Sequence, residues 1–141
     1  MEYSTGDVLE VNSHSFIPNV SFARHYGMYF LREGIPYVAH NSFSTGKIEI
    51  EPFDDFMKNR VVYRVINHVD LTDEEIDAKA TELQETKDYK FYTYNCEDFV
   101  RELCQCNLGF DQRLGWLVAL ILKGIFIFLI VRWAIKSSTS K

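Results

Sequence analysis

Residues 24–40 read RHYGMYFLREGIPYVAH. Two runs rich in aromatic and branched side chains, Tyr26–Leu31 and Tyr37–His40, flank Arg32-Glu33-Gly34-Ile35-Pro36. The glycine and proline mark that middle piece as a turn, so the stretch predicts a β-hairpin centred near Glu33. Antiparallel pairing about that centre sets opposite each other residues whose numbers sum to roughly 65–67. His25 and His40 are therefore expected directly opposite or one diagonal step apart, and an even-length turn puts both on one face. Opposite neighbours have Cβ atoms about 4.5–5.5 Å apart.

The rest of the sheet lies on both sides of the hairpin. Gly6-Asp7 is turn-like, and Val8–Val11 reads as a strand. Asn12–Asn19 reads as a loop. Lys47–Glu51 and Val61–Ile66 are further strands, the second rich in β-branched and aromatic residues. Thr72-Asp73-Glu74-Glu75 is a capping-box signature, and Ile76, Ala80 and Leu83 recur at helical spacing behind it. A helix is expected over Asp73–Thr86. Asn95 then caps another helix, with Cys96 in its first turn, Asp98 at the N3 position, and Phe99, Val100 and Leu103 on its apolar face. Strands grouped before helices give an α+β class, an antiparallel β-sheet packed against the helix that carries the cysteine.

The end of the chain differs. Leu114–Ile135 reads LGWLVALILKGIFIFLIVRWAI, which meets the ~20 residues needed to cross hydrocarbon. Trp116 and Trp133 stand roughly 26 Å apart along a helix and suit two interfacial anchors. The cost of Lys123 near the middle, about 2.5–3.5 kcal/mol on insertion scales, is outweighed by the apolar residues around it. The expected organisation is a domain over 1–110 and a C-terminal membrane anchor with a short polar tail over 111–141.

Composition narrows the function. The chain has 141 residues and a net charge of −5, without the basic footprint of a nucleic-acid binder. The N-terminus Met1–Asp7 is polar and acidic and has no signal-peptide pattern. Cys96, Cys104 and Cys106 lie too close together in sequence for a disulfide framework. A reducing compartment with three thiols is the expectation, with Cys104 and Cys106 open to reversible palmitoylation before the anchor. Metal-ligand spacing is missing around Cys104-Gln105-Cys106, so neither a metal nor another cofactor is expected. His14 and His68 sit in polar contexts and read as surface residues.

Cys96, His25 and His40 are the candidate catalytic residues. A helix N-terminus favours the thiolate, which is the nucleophile. One imidazole, His25, takes and returns the proton, and the other, His40, orients it. Backbone amides of the cysteine helix can hold an oxyanion. Glu97 and Asp98 work against a very low thiol pKa.

Four segments in order, Gly6–Val11, Arg24–Tyr29, Tyr37–His40 and Asn95–Val100, resemble the lecithin:retinol acyltransferase-like family, which includes the phospholipase A/acyltransferase (HRAS-like suppressor) proteins. The resemblance implies a permuted papain-like fold and a Cys-His-His site on Cys96, His25 and His40. It implies a phospholipid substrate whose acyl group is held as a thioester on Cys96 and passed to water or to an acceptor. Asp98 stands where that family usually has histidine, and the loop between the histidines is slightly longer. The expected protein is thus a thiol phospholipase A/acyltransferase on a single-pass C-terminal anchor, its catalytic domain facing the cytosol. A thiol peptidase or amidase, and a non-catalytic membrane-tethered protein of the same fold, are the alternatives.

Overall fold

The computed structural model describes residues 2–12, 24–58, 60–90, 93–106, 108 and 112–138, with side chains in the last segment at 117, 118 and 120–132. The chain divides into two units, Met1–Phe110 and Asp111–Lys141.

The first unit is α+β. Its strands are β1 (Asp7–Asn12), β2 (Arg24–Arg32), β3 (Ile35–Ser42), β4 (Lys47–Pro52) and β5 (Val62–His68), and its helices are α1 (Phe53–Met57), α2 (Asp73–Thr86) and α3 (Cys96–Cys104). The five strands form one antiparallel sheet in the order β4-β3-β2-β1-β5. The β2–β3 turn is shorter than its sequence suggests, because both strands run into it and leave Glu33 and Gly34 as the connection. Both have positive φ, 53° and 79°, the combination that follows strand twist in a two-residue hairpin. The even loop fixes the register Gly27↔His40, so His25 lies diagonal to His40 on the same face.

The sheet has two packed faces. On one, Val8, Tyr26, Met28, Phe30, Ala39 and Ile48 meet Ile76, Ala80 and Leu83 of α2 and Cys96, Phe99, Val100 and Leu103 of α3. On the other, Leu9, Val11, Tyr29 and Val38 pack with Phe56 of α1. Burying each large apolar side chain contributes roughly 1.5–3 kcal/mol, so the two layers together fix which way every strand residue points.

The caps behave as their sequences dictate. Thr72 and Glu75 exchange capping-box hydrogen bonds at 3.2 and 2.8 Å. Asn95 and Asp98 do the same at the start of α3. Helix α1 adds to the elements the sequence leads one to expect. Pro52 closes β4, and a proline immediately before a first turn, followed by Asp54 and Asp55, suits a helix start.

The second unit contains one helix, α4 (Gln112–Ser138). Its side chains at Leu117, Val118, Leu120, Ile121, Leu122 and residues 125–131 are exposed. Among the described residues no helix is long and apolar enough to cross a membrane.

The cysteine expectation is corrected. Cys104 and Cys106 form a disulfide, with Cα atoms 5.1 Å apart, inside the usual range for a bridge. Gln105 makes this possible: it takes the left-handed conformation at φ 50°, ψ 33° and folds the chain back at the end of α3. Sulfurs joined in this way carry no palmitoyl group, and three reduced thiols no longer argue for the compartment.

Candidate active site

His25 and His40 meet on the α1 face of the sheet. Nε2 of His25 lies 2.9 Å from Nδ1 of His40, and the rings stand edge to face with centroids 4.9 Å apart. Phe56 packs against both, at 6.0 and 5.0 Å. Gly27, on the same face, makes room for Val38 and Phe56. A Cβ there would lie 2.5 Å from Cγ1 of Val38 and 3.3 Å from Cζ of Phe56.

The pair continues into β4. Nε2 of His40 lies 2.8 Å from Oε1 of Glu51 and 3.6 Å from Oε2 of Glu49. Nη1 of Arg60 is 3.5 Å from the same Glu51 oxygen. The register explains the convergence, since His40 pairs with Glu49 and Val38 with Glu51, so both carboxylates belong to the face of His40. Glu49 and Glu51 have no motif in the sequence to single them out. Alternation along Lys47–Glu51 was enough to put residues 49 and 51 on one face, but the β3–β4 register was needed to set that face against His40.

This chain of contacts assigns the protons. A carboxylate only accepts, so Nε2–H of His40 donates to Glu51. In the tautomer where Nδ1 of His40 carries no proton, it accepts from Nε2–H of His25, and Nδ1 of His25 keeps a lone pair. Burial, first of all, holds the His25 pKa well below the ordinary imidazole value, with His40 and Arg60 adding to it. The hydrogen bond from His40 is the largest of the effects that lower the Glu51 pKa. The result is a buried imidazole hydrogen-bonded to a second ring, which a carboxylate holds in turn.

Cys96 is built from the other layer. Asn95 caps α3, and its Oδ1 accepts from the amides of Glu97 and Asp98 at 2.9 and 3.2 Å. Nδ2 of Asn41 donates to the Tyr94 carbonyl at 2.9 Å, which ties the start of α3 to β3. Cys96 is 2% exposed and packs in the α2/α3 core. Strand alternation gives the reason for the separation: Tyr26 and Asn41 point toward α3, while His25 and His40 point toward α1. The structure thus brings the two histidines together and holds the cysteine on the opposite face. The Glu97 and Asp98 amides, engaged by Asn95, are not aimed at an oxyanion. Glu97, also buried, pairs with Arg101 one turn along α3.

His68 is on the surface, with Nδ1 2.8 Å from Asp7. His14 and most of the Asn12–Asn19 loop lie outside the described residues. No protein-family model matches the chain, and no curated protein matches it.

Proposed function

We propose that this chain is a membrane-anchored thiol phospholipase A/acyltransferase of the permuted papain-like kind. Cys96 is the nucleophile, His25 the general base and His40 the ring that orients it. The supporting observation is the His25–His40–Glu51 chain, which holds a buried, unprotonated imidazole in one orientation. In the proposed reaction, Nδ1 of His25 takes the thiol proton as sulfur attacks the ester carbonyl of a glycerophospholipid. The tetrahedral intermediate collapses to a thioester on Cys96, and His25 returns the proton to the departing lysophospholipid. Water or another acceptor then releases the acyl group by the same steps in reverse. The α4 segment, with apolar residues around its whole circumference, serves as the anchor and keeps the site beside the bilayer.

This reading requires movement. Sulfur and imidazole belong to opposite faces of the sheet, so the reaction requires a rearrangement that brings them together. The same separation favours a second reading, a membrane-tethered protein of this fold without catalysis. Fatty-acid release from phosphatidylcholine vesicles by the full chain tests the choice. The enzyme reading expects release by the natural chain and none by Cys96→Ala. No release by folded, vesicle-bound natural chain supports the tether.

A further inference from the structure

The carboxylates around His40 form a second candidate site. We propose that His40, Glu49 and Glu51 bind a divalent transition-metal ion of the zinc type. The proposal does not depend on the acyl-transfer reading.

One nitrogen and two oxygen donors converge there, all three ligand atoms within 4.8 Å of one another. A tetrahedral zinc ion with bonds of ~2.1 Å holds neighbouring ligands about 3.4 Å apart. Glu49 Oε2 is already 3.6 Å from His40 Nε2, and Glu51 Oε1, at 2.8 Å, needs to withdraw by a fraction of an ångström. The carboxylates have that freedom, because the Glu49 and Glu51 side chains are 33% and 28% exposed. The imidazole does not move: His40 is fully buried and is wedged by Phe56 and His25. A fixed imidazole beneath two partly exposed carboxylates is a rigid ligand with two adjustable partners.

The surroundings supply the outer contact that such sites use. A metal-ligating histidine normally donates its other ring N–H, which holds the ring in place. Here Nδ1 of His40 faces Nε2 of His25 at 2.9 Å. With an ion on Nε2, the His40 proton sits on Nδ1 and donates to His25, whose own proton moves to its Nδ1. The metal-bound chain thus holds both rings in the opposite tautomers and without the free Nδ1 of His25. Three protein ligands also leave a fourth position for water or an anion. Arg60 is the opposing charge, 3.5 Å from Glu51. Its hydrogen bond to the Phe56 carbonyl lets it stay beside the site when Glu51 turns to the ion.

The test is titration of the full chain in detergent with Zn²⁺ by calorimetry, then with Co²⁺ by absorption. One saturable ion per chain is expected, with a Co²⁺ spectrum of nitrogen and oxygen ligation. Glu49→Gln, on the surface and outside the His25–His40–Glu51 chain, is expected to weaken binding at least tenfold, the scale of lesser outer-contact changes. Absence of saturable binding overturns the proposal. So does an intense thiolate-to-cobalt band, which puts the ion on cysteine, or an affinity that Glu49→Gln leaves unchanged. Activity is not the readout, so failure here and failure of the acyl-transfer reading are separate results.

Discussion

Replacing Glu51 by Leu and by Gln separates the hydrogen bond it accepts from the charge it carries. His40 is fully buried, and its Nε2–H has Glu51 as acceptor at 2.8 Å. Leu removes that acceptor and leaves a buried donor, which costs about 1–3 kcal/mol. Glu49, 3.6 Å away, can move in and recover part of this, so the expected loss for Glu51→Leu is about 1–2 kcal/mol. Gln keeps an oxygen where Glu51 has one. It loses the carboxylate's advantage, which partial exposure already screens, so Glu51→Gln is expected to cost under about 1 kcal/mol. Urea unfolding of the full chain in mild detergent, followed by circular dichroism at pH 7.5, reads both values. Nitrogen NMR of the imidazoles gives a second readout: Nε2–H on His40 in the natural chain and in Glu51→Gln, and a changed proton position in Glu51→Leu. Equal stability for the two variants, or Nδ1–H on His40 in the natural chain, would refute the proton assignment.

The same layer gives a steric prediction. Gly27→Ala drives a methyl group into Val38 and is expected to destabilise the chain by about 1–3 kcal/mol in the same unfolding assay; no loss would mean that the two strands are not packed as described. The pH dependence of stability follows from His25. Its pKa in the folded chain lies below the unfolded value of 6.5, so unfolding takes up a proton as the pH falls. The contribution is full above that value and is lost below it, by at most about 1.4 kcal/mol per pH unit. Glu51, also lowered, loses its contribution further down, below the carboxylate value of 4.5. His25→Gln is expected to flatten the upper window and leave the lower one, and an unchanged profile would contradict the buried neutral ring. Alkylation of the denatured chain without reductant is expected to label Cys96 and spare Cys104 and Cys106, with all three labelled after reduction; labelling of all three at the outset would contradict the bridge.

Local signals carried most of the fold. The capping residues Thr72 and Asn95 sit where their side chains reach the first-turn amides, so both long helices of the first unit start where the sequence places them. Gly34, beside Glu33, accounts for the hairpin, and the even loop for the shared face of His25 and His40. What could not be read was set by packing between distant segments. The face that α3 covers depends on whether its apolar stripe meets Tyr26 and Met28 or Gly27 and Tyr29, and both sets are compatible with a strand of mixed polarity. The carboxylates at 49 and 51 needed the β3–β4 register. The Cys104–Cys106 bridge needed a left-handed Gln105, which is uncommon for a residue other than glycine or asparagine.

The central claim is that Cys96 carries an acyl group which His25 helps to place there. The most direct measurement is peptide mass spectrometry of the full chain held in phosphatidylcholine bilayers and quenched at low pH. A hydroxylamine-labile acyl adduct is predicted on the peptide containing Cys96, forming about 10²-fold more slowly in His25→Ala, as expected for loss of a general base. A folded chain that acquires no such adduct, or one that forms equally fast without the imidazole, contradicts the account.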